Sequence, residues 1–176
     1  MTPARPRRLL LVGLMGSGKS SVGVAVAERT GWSLLDNDVL LRAEAGGDAA
    51  ELEREQGVEA LHRAEARVVD LILSAPEPCV ATLPASAADD RDLPERLRRA
   101  GVVVWLRATP STLARRTTTG PRRPLLPLDP GARAELLAAQ VRARADVLAA
   151  AADVVLDVEG RDPGELAAAA LAAMAG

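Results

Sequence analysis

Lysine is nearly absent from this chain, although positive charge is not. The sequence contains 22 lysine and arginine residues together, and only one of them, Lys19, is lysine. Arginine takes every other such position, as an alanine- and arginine-rich sequence bias would produce. The exception indicates a specific need for a compact ammonium group on a flexible stem, which a planar guanidinium does not reproduce.

Cysteine and long apolar runs are also scarce. The single cysteine, Cys79, excludes an intramolecular disulfide, and its apolar neighbours predict a buried strand residue. The apolar run near the N-terminus reaches Gly13 too soon for a signal peptide or a membrane span, and the alanine-rich run 166–175 is only about half a bilayer long. We therefore expect a cytoplasmic protein without a membrane anchor.

The charges of the chain are close to balance. A formal net charge of -2 gives no electrostatic reason to expect nucleic acid or an anionic membrane as a partner. The chain has 176 residues, and 48% of them are hydrophobic. This length suffices for one buried core and is too short for two domains that each have a core of their own. We expect a single domain over residues 1–176, a monomer that binds a nucleotide and a small-molecule acceptor.

Short apolar runs alternate with helical segments along the chain. Five of these runs predict strands, at residues 9–12, 32–35, 79–83, 102–106 and 154–156. Helical spacing follows the first run over residues 19–30, and residues 39–73 predict two or three helices broken near Gly46 and at Gly57. Continuous apolar strands fed by helices are typical of a parallel sheet buried on both faces. The pattern predicts an α/β fold with three layers.

A long segment at residues 117–131 interrupts this alternation. It contains four prolines, two glycines and the pair Arg122–Arg123, with Arg115 and Arg116 just before it. A loop of this length inside a compact domain is typically either functional or disordered. Positive charge on a mobile lid could stabilise a phosphoryl group in transfer, whereas isolated surface arginines would simply be solvated. We predict a lid that becomes ordered when ligands bind.

A complete phosphate-binding motif lies between the first predicted strand and the first predicted helix. It reads Gly13-Leu14-Met15-Gly16-Ser17-Gly18-Lys19-Ser20 and matches G-x-x-x-x-G-K-S. The backbone N–H groups of such a loop and the following helix N-terminus bind anions, the lysine reaches the terminal phosphates, and the serine hydroxyl is placed to ligate Mg²⁺. The motif predicts binding of a nucleoside triphosphate.

Two aspartates, Asp36 and Asp38, follow the second predicted strand. Open parallel sheets bind their ligands at the carboxyl ends of the strands, and strand alternation would send these two side chains in different directions. One could then serve the metal while the other faces an acceptor. The alternative is that the first aspartate caps a helix and the second is a solvated neighbour.

From Leu9 to about Leu171 the chain resembles the shikimate kinases. The resemblance rests on the phosphate loop and on six further segments: Asp36-Asn37-Asp38, Gly57 with Leu61-His62-Arg63-Ala64-Glu65, Val103-Val104-Trp105-Leu106, Arg115-Arg116-Thr117, Arg123-Pro124-Leu125-Leu126, and Arg144 ahead of Ala152-Asp153. It implies a P-loop fold with a five-stranded parallel sheet and a lid. It also implies ATP and Mg²⁺ as cofactors and phosphoryl transfer to a ring hydroxyl of shikimate.

The resemblance also assigns roles to individual residues. Nucleotide contacts would come from Gly13, Met15, Gly16, Ser17, Gly18, Lys19, Ser20, Ser21 and Arg123, with Arg116, Arg161 and Pro163 near adenine. Ser20 and Asp36 would hold Mg²⁺, and Lys19, Asp38 and Arg123 would be catalytic, with Asp38 activating the acceptor hydroxyl. The acceptor would contact Asp38, His62, Pro84, Ala85, Ser86 and Arg144, the last holding its carboxylate.

The acceptor half of this site departs from the family pattern. His62 stands where the family has an arginine that grips the shikimate carboxylate, and Arg63 points roughly 100° away around the helix. Pro84-Ala85-Ser86 replaces three glycines that allow close backbone approach. Three hypotheses follow: a shikimate kinase, a kinase for another small hydroxylated acceptor such as a cyclitol or sugar, and a non-catalytic nucleotide-binding protein. Retention of both Asp36 and Asp38 argues against the last, because a nucleotide binder has little need for the acceptor-side Asp38, and loss of the glycines argues for it.

Overall fold

A single parallel sheet organises the chain. The structure is a computed structural model, and it describes residues 7–118 and 126–175. The strands are β1 (Arg8–Val12), β2 (Ser33–Leu35), β3 (Cys79–Thr82), β4 (Val102–Arg107) and β5 (Val154–Asp157). They pair in the order β2-β3-β1-β4-β5, and all neighbours are parallel. The predicted fold is confirmed. The predicted bounds of each strand differ from the observed bounds by at most one residue at either end.

The helices cover both faces of this sheet. Those of the described residues are α1 (Lys19–Thr30), α2 (Asn37–Ala45), α3 (Ala49–Gln56), α4 (Val58–Ser74), α5 (Leu93–Ala100), α6 (Pro110–Arg116), α7 (Pro130–Ala151) and α8 (Pro163–Ala175), with a short 3₁₀ helix at Ala85–Asp89. Residues 39–73 do break near Gly46 and at Gly57, as the sequence predicts. None of these helices combines the length and the apolar character that crossing a bilayer requires.

The strand β1 lies at the centre of the sheet and is buried on both faces. Its side chains alternate between two apolar clusters, with Leu10 facing α4 and α5 and Leu11 facing α1 and α8. Both leucines are 0% exposed. Burying a leucine contributes about 1.5–3 kcal/mol relative to leaving it in water. The loop that follows this strand is therefore held at the middle of the carboxyl edge of the sheet.

The neighbouring strand β3 is buried throughout. Cys79, its first residue, pairs with Arg8 of β1 on one side and with Ser33 of β2 on the other. The cysteine is 0% exposed and its thiol is free. The prediction of a buried strand cysteine is confirmed.

The amino edge of the sheet is closed by a buried arginine. The Arg8 guanidinium donates through Nη1 to the Ala100 carbonyl at 3.0 Å and through Nη2 to the Ala75 carbonyl. It thereby joins the C-terminal ends of α4 and α5. The chain then passes from α5 into β4 at Gly101, where an added Cβ would overlap the Arg8 carbonyl oxygen.

Replacing Gly101 by alanine tests this packing. The φ of 173° is extended backbone that alanine adopts, so the cost comes from the overlap with a backbone oxygen that cannot rotate away. We expect Gly101→Ala to lower the free energy of unfolding by about 1–3 kcal/mol in urea denaturation. Gly47→Ala is the control, because its nearest neighbour is the flexible Glu51 carboxylate at 3.1 Å. Equal losses in the two variants would contradict this account.

Candidate active site

The phosphate loop has a backbone that only glycine accommodates. Gly13, Gly16 and Gly18 have φ angles of 147°, 83° and 96°, a region that L side chains rarely adopt. A Cβ on Gly13 would lie 2.7 Å from the Leu106 carbonyl oxygen and 2.8 Å from Ser17 Oγ. The loop leads directly into α1, whose N-terminal N–H groups have no partner within the helix. This geometry forms a cradle for phosphate oxygens.

The lone lysine bridges the two arms of this loop. Lys19 is the first residue of α1, and its Nζ donates to the carbonyls of Gly13 at 2.7 Å and Leu14 at 3.2 Å. The side chain is only 9% exposed. Sequence reasoning assigned it to ligand phosphates alone, whereas the structure adds a contact that holds the loop together. Both functions need a compact ammonium group on a flexible stem.

A cavity of about 300 Å³ opens beside the loop. Predicted site residues that line it are Met15, Gly16, Gly18, Lys19, Ser20, Ser21, Asp38, Pro84, Ala85 and Arg116. The other predicted residues in the described ranges, which are Gly13, Ser17, Asp36, His62, Ser86, Arg144, Arg161 and Pro163, are not part of its lining. The predicted catalytic residue Arg123 lies outside the described residues. The phosphate loop and Asp38 thus face one common space.

Asp36 and Asp38 are arranged by a helix and not by a strand. The strand β2 ends at Leu35, and Asp36 is the N-cap of α2, with Oδ1 accepting from the N–H groups of Asp38 at 3.0 Å and Val39 at 3.4 Å. The prediction that strand alternation directs the two side chains apart is therefore wrong, because Asp38 lies in the first turn of α2. The alternative of an N-cap is confirmed for Asp36.

Two polar residues that sequence reasoning missed hold Asp38 in place. Thr82, at the end of β3, accepts from the Asn37 backbone N–H at 2.9 Å and donates to Asn37 Oδ1 at 2.7 Å. The Asn37 amide in turn donates to Asp38 Oδ1 at 2.9 Å. The one sequence feature that could have indicated Thr82 is that it is a polar residue at the end of an apolar strand. These bonds fix the start of α2 to the neighbouring strand.

The acceptor side of the cavity is built by the 3₁₀ helix after β3. Pro84 caps this helix, and the Ser86 hydroxyl donates to Glu65 Oε2 on α4 at 2.6 Å. Burial raises the pKa of the Glu65 carboxyl above its usual value, and the Ser86 hydrogen bond, His62 and Arg144 partly oppose this rise. Glu65 also lines a second cavity of about 150 Å³, which His62, Ser86 and Asp89 share. The sequence motif that contains Glu65 did not predict that this residue lines the site.

The predicted carboxylate-binding arginine already has a carboxylate partner. Arg144 of α7 donates from Nε and Nη2 to the two carboxylate oxygens of Asp89, both at 2.7 Å. Its side chain is 13% exposed, against 51% for the aspartate. The pair joins α7 to the end of the 3₁₀ helix.

On the side of the site that is predicted to bind adenine, the carboxylate of Glu159 joins two loops. Glu159, which follows β5, accepts from the Thr109 N–H at 3.0 Å and from the Thr112 hydroxyl at 2.8 Å, and these bonds lower its pKa. The start of α6 is thereby tied to the segment that carries Arg161 and leads to Pro163. Arg116, at the end of α6, has Nη1 3.4 Å from the Gly16 carbonyl oxygen. Its guanidinium therefore lies over the phosphate loop.

Both ends of the predicted lid, residues 117–131, are bonded to α7. Arg133, which is 9% exposed, donates to the carbonyls of Pro127 at 3.0 Å and Leu128 at 3.3 Å, and to the Thr118 hydroxyl at 3.3 Å. Residues 119–125, with Arg122 and Arg123, lie outside the described part of the chain. Ordering of the lid on ligand binding stays a prediction.

The donor set fits a magnesium ion bound mainly to nucleotide. No group of three histidine, cysteine, aspartate or glutamate side chains could hold a metal within residues 7–118 and 126–175. Mg²⁺ is usually held by one or two protein ligands, substrate phosphates and water. Ser20 lines the cavity, while Asp36 uses Oδ1 for capping, so its part in metal binding would be through Oδ2 or water.

Comparison with known proteins agrees with this geometry. The family model for shikimate kinase matches residues 15–175. The shikimate kinase of Symbiobacterium thermophilum is 42% identical over 120 residues, 67% of this chain and 68% of that protein. That of Thermodesulfovibrio yellowstonii is 30% identical over 161 residues, 92% of this chain and 91% of the relative. The matched segments span 61% to 69% of the first three curated relatives.

The fold of a solved structure is also similar. A shikimate kinase from Acinetobacter baumannii in complex with shikimate superimposes with a TM-score of 0.87, covering 96% of this chain and 92% of that one at 24% identity. The fold and phosphate loop define the class of P-loop kinases. The chain belongs to the shikimate kinase family. It is a shikimate kinase-like enzyme, an ATP-dependent phosphotransferase that acts on a hydroxyl group.

The partly buried Glu65 carboxyl leads to a prediction about the pH dependence of stability. Because its folded-state pKa is raised from its ordinary 4.5, the folded protein loses stability as pH rises from that value through the raised pKa. The variant Glu65→Gln has no such charge and can still accept the Ser86 hydrogen bond. We expect it to gain stability relative to the parent as pH rises above 4.5, in urea unfolding over a series of pH values that begins below 4.5.

The exposed Glu59 on the same helix supplies the control for this experiment. Glu59→Gln removes a carboxylate from α4 without touching the cavity. Its stability difference from the parent should change little over the same pH range. A Glu65→Gln difference that is equally flat would show that burial does not disfavour the charged form.

Proposed function

We propose that this chain transfers the γ-phosphoryl group of ATP to a ring hydroxyl of shikimate. The observation that carries the proposal is that Asp38 and the phosphate loop line one cavity of about 300 Å³. A carboxylate beside a phosphate cradle can accept the proton of an alcohol that attacks the terminal phosphate, which suits phosphoryl transfer to a hydroxyl group. Membership of the family supports the choice of shikimate.

The phosphate half of the site would bind and orient ATP. Backbone N–H groups of the loop and the N-terminus of α1 would hold the phosphate oxygens, with Lys19 reaching the terminal phosphates. Ser20, and Asp36 through water, would hold Mg²⁺, which when bound supplies positive charge against the phosphates. Arg116, with its Nη1 3.4 Å from the Gly16 carbonyl oxygen, would lie beside the base. These contacts position the phosphoryl group and neutralise its charge.

Asp38 would act on the acceptor. Its carboxylate would accept the proton of the attacking hydroxyl as the new oxygen–phosphorus bond forms and the bond to the ADP oxygen breaks. The Asn37 amide, 2.9 Å from Asp38 Oδ1, orients the carboxylate, and Thr82 holds the asparagine in turn. Pro84 and Ala85 line the same cavity, so the acceptor would lie between α2 and the 3₁₀ helix.

A second candidate is a kinase for another small hydroxylated compound. The observation in its favour is that Arg144 is paired with Asp89, while His62 replaces an arginine at an exposed position of α4. A coupled assay of ATP consumption with shikimate, quinate, cyclitols and sugars separates the two candidates. Turnover with shikimate alone supports the first, turnover with another member the second, and turnover with none contradicts both.

Replacing Asp38 by asparagine tests its role. We expect Asp38→Asn to lower kcat by about 10²–10⁴-fold, because the base is lost, with the Kd for ATP changed by less than about threefold. Turnover would be measured by the coupled assay and ATP binding by calorimetry. Asp92→Asn is the control, since Asp92 is an aspartate at the start of another helix, α5, and its side chain makes no capping bond. Weakened ATP binding with intact turnover would instead make Asp38 a metal-side residue.

Restoring an arginine on α4 tests the choice of shikimate. His62 lines the second cavity, and an arginine there would add a charge-assisted contact to the acceptor's carboxylate. We expect His62→Arg to lower the shikimate KM by roughly ten- to a hundredfold, which corresponds to about 1.5–3 kcal/mol. Arg63→His is the matched control on the next residue. An increased KM in His62→Arg would contradict this account of carboxylate binding.

A further inference from the structure

The ion pair between Arg144 and Asp89 has the geometry of carboxylate recognition. Both aspartate oxygens lie 2.7 Å from the arginine, one from Nε and one from Nη2. Arginine frequently binds carboxylate ligands through such a parallel fork. The arginine side chain is 13% exposed, so little of it faces water. Asp89 therefore occupies a full donor edge of the guanidinium.

This pair lies at the acceptor end of the site. Asp89 lines the second cavity together with His62 and Glu65, and Glu65 also lines the phosphate-side cavity. Arg144, which bonds both carboxylate oxygens of Asp89, therefore lies next to the second cavity. An acceptor that reaches from Asp38 toward Arg144 would meet Asp89.

The arginine that lines the second cavity, Arg96, is also neutralised within the chain. Arg96 donates to Asp90 at 3.0 Å and to Asp70 at 2.6 Å. The cavity lining contains three carboxylates, from Glu65, Asp89 and Asp90, against Arg96 and His62. An entering carboxylate would have to compete with these groups for each positive charge.

The local backbone explains why Asp89 reaches α7. Ala85–Asp89 form a 3₁₀ helix, closed by the Ala87 N–H donating to the Pro84 carbonyl at 3.1 Å and the Asp90 N–H to the Ala87 carbonyl at 3.1 Å. The proline fixes φ at -62° where this helix begins. A run of glycines at 84–86, as in the family, would favour this conformation less. The altered sequence and the ion pair are thus parts of one arrangement.

We propose that Asp89 determines acceptor specificity by occupying the carboxylate-binding edge of Arg144. The enzyme then gains little from a carboxylate on its acceptor and discriminates weakly between a carboxylate-bearing ring and the same ring without the charge. This inference rests on the proposed function, because it concerns the acceptor of that same site. It makes Asp89 a specificity-determining residue that acts through Arg144.

A purely structural ion pair would behave differently. If Asp89 only tied the 3₁₀ helix to α7, its removal would lower stability and affect all acceptors alike. A role in specificity instead changes the ratio of kcat/KM for a charged acceptor to that for a neutral one. Shikimate and its methyl ester form a suitable pair, since they differ only at the carboxyl group.

The experiment measures this ratio in the parent and in Asp89→Ala. We expect the ratio to rise about tenfold, mainly through a lower KM for shikimate, because a charge-assisted contact to Arg144 becomes available. If the alanine variant is unstable, Asp89→Asn takes its place. It keeps the shape of the side chain and should also raise the ratio. Asp90→Ala removes a carboxylate from the same cavity without touching Arg144. Because Arg96 keeps its bond to Asp70, this variant should change the ratio by less than about threefold.

The double variant Asp89→Ala with Arg144→Ala shows whether the effect passes through the arginine, and it should abolish the gain. An unchanged ratio in both Asp89 variants, or a gain that survives loss of Arg144, would overturn the inference. Calorimetric binding of shikimate to the same proteins separates the two proposals. If the parent phosphorylates neither acceptor, the proposed function fails, while tighter shikimate binding by Asp89→Ala still supports the inference and its absence overturns it.

Discussion

Parallel pairing around β1 brings the carboxyl ends of all five strands to one edge of the sheet, and the site depends on that constraint. The phosphate loop follows β1, α2 with Asp38 follows β2, and Pro84 with the 3₁₀ helix follows β3. Because β3 lies between β1 and β2, the phosphate cradle and Asp38 are two strands apart, with Thr82 between them. Loss of the buried β1 packing would therefore separate the groups that line the cavity.

The two halves of the site use charge in different ways. The phosphate half offers backbone N–H groups and a lysine already positioned on its own loop, so an anion meets donors that need little rearrangement. The acceptor half contains side-chain charges that are matched internally, Arg144 by Asp89 and Arg96 by Asp70 and Asp90. A ligand that binds there replaces existing contacts, so its binding free energy contains only the difference between the new contacts and those that it replaces. Nucleotide binding and acceptor choice can therefore change independently.

Sequence reasoning found what is encoded over short stretches. The strands and α1 were predicted because apolar runs and helical spacing are local, and the phosphate loop because its glycines are contiguous. The arrangement of Asp36 and Asp38 was missed because one residue decides it: the strand stops at Leu35, and a helix starts at Asn37. The pairing of Arg144 with Asp89 joins residues 55 apart, and no periodicity reports such a contact. Contacts between elements had to come from the structure.

The burial of Cys79 gives this protein an internal reporter of its own unfolding. Its thiol is the only one in the chain, and it lies 0% exposed in a strand that is paired on both sides. A thiol reagent reaches such a group only when the surrounding structure opens, so the labelling rate measures the free energy of that opening. A ligand that stabilises the closed sheet slows labelling by the factor by which it shifts the equilibrium. Nucleotide and acceptor binding can thus be ranked on the unmodified chain, even for compounds that are never phosphorylated.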